Sequence, residues 1–261
     1  MLKRLALAVA LMAGLAQPAL AVGSSASDGT VHNLERVAPF TKKVETALAE
    51  HGALVAIVAR VGRDPKEMPD GITYTHVAFW VYSEMTAEDG RKLNGYVAYN
   101  LYQRSGDGDR ADLVQDFPIQ FFGNVAELKS GVVIPKPELQ RELLKQILSP
   151  RYKGLFVPDY SVVANPYSWR YQNCTNFVMA NIVSAIYGTA DRNEIVQYLR
   201  RFYEAKPVPV NGLVRALGPI FVDGFHTNDQ SGPIKTSTYE SIVGFFQQYD
   251  LAEAVLEIRE D

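Results

Sequence analysis

The stretch Asn173-Cys174-Thr175-Asn176-Phe177-Val178 constrains this chain more than any other. Asn173 is a residue type that caps helix starts, and from Phe177 onward small and apolar side chains recur at helical spacing: Ala180, Asn181, Val183, Ser184 and Tyr187. Gly188 then supplies a stop, because glycine accepts the left-handed conformation that closes a helix. The spacing predicts a helix that begins at the chain's only cysteine. A thiol in a first helical turn faces unpaired backbone N–H groups and the positive end of the dipole, and both favour the nucleophilic thiolate. Cys174 is therefore the candidate reactive atom, and the next question is whether the chain supplies a base.

The N-terminus reads as a separate segment. Lys3 and Arg4 precede an apolar run at 5–15, and Ala19-Leu20-Ala21 gives a small-x-small cleavage pattern. Residues 1–21 are expected to be a secretory signal peptide, with a secreted or periplasmic destination. The run is too short, and too broken by Gln17 and Pro18, for a membrane span. Residues 22–33 are small and polar, a flexible lead-in. Loss of the leader removes two cations and moves the formal charge from −3 to −5. With no basic stripe, nucleic acid is not an expected partner. A lone cysteine forms no internal disulfide, so the core must supply stability.

Along the remaining chain, residues 34–51 alternate as an amphipathic helix with Val37, Phe40, Val44 and Leu48 on one stripe. Residues 54–61 form a continuous apolar strand. Residues 72–82 alternate most clearly, with His76, Ala78 and Trp80 on one side and Val77, Phe79 and Val81 on the other. Asn94-Gly95 is a hairpin signal before a strand at 96–103 that carries Asn100. The acidic, glycine-containing run 105–116 is expected to be a solvated turn, since it lacks the glycine and distal glutamate of a calcium loop. Further strands are expected at 131–134 and 254–258, an extended piece at 160–164, and helices at 137–148, 192–204, 213–217 and 238–249. Together these predict an α+β chain, one domain over residues 34–261.

A cysteine hydrolase needs a thiolate at a helix start, an imidazole on a neighbouring strand, and a polar group to orient that ring. Cys174, His76 and Asn100 have the right types and settings, with the Cys174 backbone N–H and the Gln172 amide as oxyanion donors. Each has a plainer alternative: Cys174 as a small buried hydrophobe, His76 as a core histidine, and Asn100 as a strand-end hydrogen bonder. His226 is an alternative base. No histidine pair has metal-ligand spacing, so neither a metal nor another cofactor is expected.

The run Thr75-His76-Val77-Ala78-Phe79-Trp80-Val81 resembles the histidine strand of circularly permuted papain-like proteins, the NlpC-type and lecithin:retinol acyltransferase-like groups. Asn173-Cys174-Thr175-Asn176-Phe177 resembles their cysteine helix start, and the order histidine, polar residue, cysteine is theirs. This likeness spans about residues 54–187. It implies an antiparallel sheet packed against the cysteine helix, with extra helices. More narrowly, Val61-Gly62-Arg63-Asp64, Tyr74-Thr75-His76 and the stretch from Asn165 to Asn173 resemble an exported bacterial family, domain of unknown function 2145. Serine often stands there at the position of Cys174 and histidine at that of Asn100, so the resemblance implies the fold before the activity.

Two functions are compatible with these residues. One is a periplasmic papain-like cysteine hydrolase or acyltransferase that acts on an amide or ester of cell-wall peptide or an acyl substrate. The other is a non-catalytic binding or accessory protein on the same fold, holding a peptide or glycan.

Overall fold

The computed structural model describes residues 32–86, 89–208 and 224–261. The expected signal peptide, nearly all of the lead-in and the short helix at 213–217 lie outside those residues. In chain order the elements are α1 (Leu34–Glu50), β1 (Val55–Val61), β2 (His76–Thr86), β3 (Lys92–Arg104), β4 (Asp107–Asp116), α2 (Pro118–Phe121) and β5 (Glu127–Pro135). Then follow α3 (Pro137–Ile147), α4 (Pro150–Gly154), α5 (Cys174–Tyr187), α6 (Arg192–Phe202), the short strands β6 (Lys206–Pro207) and β7 (Lys235–Thr236), α7 (Tyr239–Gln248) and β8 (Ala252–Arg259).

Six strands make one antiparallel sheet in the order β4-β3-β2-β1-β5-β8, and β6 pairs with β7 apart from it. β1 is apolar except at Arg60 because both of its faces are covered. Val55, Ile57, Ala59 and Val61 enter the core shared with α5 and α7, whereas Ala56 and Val58 enter the one under α1. β2 divides the same way: Val77, Phe79 and Val81 meet the α5 layer, and Ala78 and Trp80 meet Phe40 and Phe121 on the α1–α2 side. The class is α+β around an antiparallel sheet, as expected.

Three local expectations fail. Asn94-Gly95 is no turn: Ser83 pairs with Gly95 and Glu84 with Asn94, so the hairpin reverses beyond Thr86 and before Lys92. A glycine inside a strand marks close approach as readily as a turn, and a Cβ on Gly95 would lie 3.2 Å from Met85 Cε. The acidic run at 105–116 is mostly strand. Gly106 turns with φ 77°, and β4 then pairs with β3 at the sheet edge. Its charges suit an edge that must refuse further strands. Asp112 pairs with Arg104 at 2.7 Å, and Ala111 alone is fully buried among its alternating positions. The expected extended piece at 160–164 reduces to one bridge, Tyr160 with Gln172.

Candidate functional site

α5 starts where the sequence puts it. Asn173 Oδ1 accepts from the Asn176 N–H at 2.8 Å, and Gly188 closes the helix with φ 68°. The cap also gathers its surroundings. Asn173 Nδ2 donates to Val162 O at 3.0 Å and Thr236 Oγ1 at 3.1 Å, and Asn176 Nδ2 donates to Ala164 O at 2.9 Å. Residues 162–164 and 236–237 are thereby held around the first turn. Every residue from Cys174 to Ala185 is buried.

Cys174 is 5% exposed and lines a cavity of about 160 Å³. Tyr160, Gln103, Thr75 and Arg63 share the wall, together with Met68, Ile72 and Val162. Burial drives the Tyr160 phenol far above its ordinary range, and the nearby Cys174 pushes the same way. Gly224 fits between these groups, since a Cβ there would come within 2.6 Å of Gln103 Nε2 and 2.9 Å of Tyr160 Cδ1.

His76 and Asn100 are brought together. The ring Nε2 and Asn100 Oδ1 are 3.0 Å apart, on adjacent strands. Asn100 Nδ2 donates to Ala98 O and to Asp116 Oδ2, each at 3.2 Å. With the amide nitrogen facing two acceptors, its oxygen must face the ring, so Nε2 carries the hydrogen and Nδ1 keeps the lone pair. Tyr102 completes the group: its hydroxyl donates to Asp116 Oδ2 at 2.7 Å, and its ring stacks on His76 at 4.8 Å. Arg60 is buried, its guanidinium over the rings of Tyr102 and Phe121 at 5.6 and 5.1 Å, and it donates to Phe121 O.

The electrostatics follow from that enclosure. His76 is 1% exposed, and burial first and Arg60 second hold its ring well below the ordinary value of 6.5, against the opposing pull of Asn100. The ring is neutral at pH 7. Burial raises the Asp116 carboxyl despite the help of Tyr102 and Arg60.

Strand alternation sets the two groups on different layers. His76 and Asn100 share the face of Ala78, Trp80 and Ala98, which looks toward α1 and α2, whereas α5 packs on the other face. His76 and Asn100 are not among the residues lining the cavity. Tyr102 adjoins both groups: its ring lies on His76, and its phenol is close enough to Cys174 for a thiolate there to oppose its ionisation.

Gln172 has a different place from the one expected. Its Oε1 accepts from Val157 N at 2.9 Å and its Nε2 donates to Leu155 O at 3.1 Å, so the amide anchors the 155–157 turn. The side-chain amides on the cavity wall are those of Gln103 and Asn173. Alternation along β3 could have singled out Gln103, since Tyr99, Leu101 and Gln103 share the α5 face. His226 meets Asp109 Oδ1 at 2.8 Å and stacks on Tyr171 at 4.9 Å, outside the cavity wall. Nothing local marks Asp116, Tyr102 or Arg60 as a companion of His76, because each lies on another strand.

A family model described as an uncharacterized protein conserved in bacteria (DUF2145) matches residues 47–246. The chain belongs to the DUF2145 family. The matched span runs from the end of α1 to α7 and holds the cavity, Cys174 and the His76–Asn100 pair. No curated protein and no solved structure matches this DUF2145 chain. Among its described residues no helix is long and apolar enough to cross a membrane.

Proposed function

We propose that this DUF2145 chain is a periplasmic thiol hydrolase or acyltransferase of permuted papain-like type, which cleaves an amide or ester of a peptide or acyl substrate. The observation that carries the reading is the 3.0 Å bond between His76 Nε2 and Asn100 Oδ1. It fixes one tautomer and leaves Nδ1 as the basic nitrogen, which is what a ring-orienting third residue does. Cys174 is the nucleophile, His76 the base and Asn100 the orienting group.

The ring is neutral at rest and can take a proton as the reaction begins. The reading requires the thiol proton to reach His76, whose ring stands outside the cavity wall, as Sγ attacks the carbonyl carbon, and the carbonyl oxygen takes the charge near the Cys174 N–H in the first turn of α5. The proton then goes to the leaving amine or alcohol as the C–N or C–O bond breaks. A thioester remains for water or an acceptor to open.

A second reading is a peptide- or glycan-binding protein without catalysis. It is favoured by the placement of His76 on the sheet face away from α5 and outside the cavity wall. Alkylation of Cys174 by iodoacetamide between pH 5 and 9 separates the two. The hydrolase reading expects labelling at least about tenfold faster than a free cysteine at pH 7, with that advantage lost in a folded His76→Ala variant. Slow labelling, unchanged by that substitution, leaves the binding protein.

A further inference from the structure

The wall of the Cys174 cavity is almost free of charge. Met68, Pro69, Ile72, Val162, Val163 and Val208 give it an apolar body, and neutral hydroxyl and amide groups supply its polar spots. Among the described residues Arg63 is the single formal charge on that wall. No ion pair among the described residues includes Arg63, and its Nε is buried with no hydrogen-bond partner among them. Arg60, three positions earlier, behaves differently: it lies over two aromatic rings and bonds Phe121 O.

An arginine presents planar, paired donors that fit a carboxylate, and a buried donor without a partner is costly to leave so. Apolar surface beside an uncompensated cation selects an amphiphilic anion. A volume of about 160 Å³ is well below the ~300 Å³ at which drug-sized pockets begin, so the occupant is about one amino-acid residue in size.

We propose that the cavity at the start of α5 is a subsite for a small monocarboxylate with an apolar body, its carboxylate paired with Arg63 and its hydrocarbon part against Met68, Ile72 and Val162. Two sources share that chemistry, the C-terminal residue of a peptide and a short fatty acid. The proposal deepens the hydrolase reading by naming what the site holds beside Cys174, yet it stands on Arg63 and the wall and does not need the thiol to react.

Binding is measured by calorimetry on the protein from residue 22 onward, with N-acetyl-leucine, its neutral counterpart N-acetyl-leucinamide, and octanoate. N-acetyl-leucine is expected to bind at least about tenfold more tightly than the amide, the factor lost when a charge-assisted pair is removed. Arg63→Gln is expected to abolish that preference and Arg63→Lys to retain part of it. A preference for N-acetyl-leucine over octanoate assigns the peptide source, and the reverse assigns the fatty acid. Equal binding of acid and amide by the unaltered protein, or no binding of any of the three, overturns the proposal, and neither result depends on how the Arg63 variants fold. Acid-selective binding in a protein whose Cys174 labels slowly would retain this subsite and remove the hydrolase.

Discussion

Asn100 uses both ends of its amide inside the protein, accepting from His76 and donating to Ala98 O and Asp116. Asn100→Leu would leave the ring N–H and a carboxylate oxygen without that partner in a fully enclosed place. A loss of about 3 kcal/mol is expected from two such groups, read as a lower urea midpoint at unchanged slope. A loss under about 1 kcal/mol would mean that water reaches the network. His76 gives a pH dependence of fixed sign. Its folded value lies well below 6.5, so on acidification the unfolded chain takes up a proton that the folded one refuses. Stability from this residue is complete above about pH 6.5 and falls below it, by up to about 1.4 kcal/mol per pH unit. Asp116, raised by burial, acts in the opposite sense above its ordinary 3.8. The His76 slope is therefore read just below about pH 6.5, farthest from the ordinary range of Asp116. Urea midpoints at pH 7.5, 6 and 5 should fall for the unaltered protein and stay flatter for His76→Gln. Parallel curves would refute the shift.

At the scale of elements, α7 docks against the sheet through an absent side chain. A Cβ on Gly131 of β5 would sit 2.6 Å from Tyr239 Cε1, where α7 begins. The Tyr239 ring also stands edge-on to Tyr74 at 4.7 Å, so it has little room to retreat. Gly131→Ala is expected to cost about 1–3 kcal/mol by overpacking, and a melting temperature within a degree of the original would show that the ring moves aside freely. Elements were also where local pattern served best. The cap at Asn173, the stop at Gly188 and the period of β2 act over neighbouring residues, so α5 and most of β2 were legible. Asn94-Gly95 and the acidic run at 105–116 misled for one reason: turn and strand compete there, and pairing with β2 and β3 decides.

Across the whole molecule the sheet is closed by the chain's end. β8 pairs with β5 at the edge and is tied to α1 by Arg36 with Glu260 and Lys43 with Asp261, each at 2.5 Å. These ion pairs are exposed and weak, so the strand itself supplies the stability. Removal of residues 252–261 would uncover β5 and part of the α1 core around Ile258. The full chain from residue 22 is expected to unfold in one calorimetric transition, and the shortened one to lose that transition or aggregate. An unchanged transition in the shortened chain would show that β8 is an appendage.

The sequence by itself determined what neighbouring residues can decide: the helix start at Cys174, the apolar centre of the sheet, and an α+β chain whose single cysteine stands in a first turn. It also named His76 and Asn100, because a strand's alternation shows which residues share a face. Tertiary structure alone decided which layer that face meets. It turned the imidazole toward α2, made Gln172 a loop anchor, set Gln103 and Arg63 on the cavity wall with Cys174, and enclosed Asp116, Tyr102 and Arg60 with the ring. These outcomes depend on strand order and on the side from which each helix covers the sheet. Both are settled by burial of the whole apolar surface and not by any local run of residues.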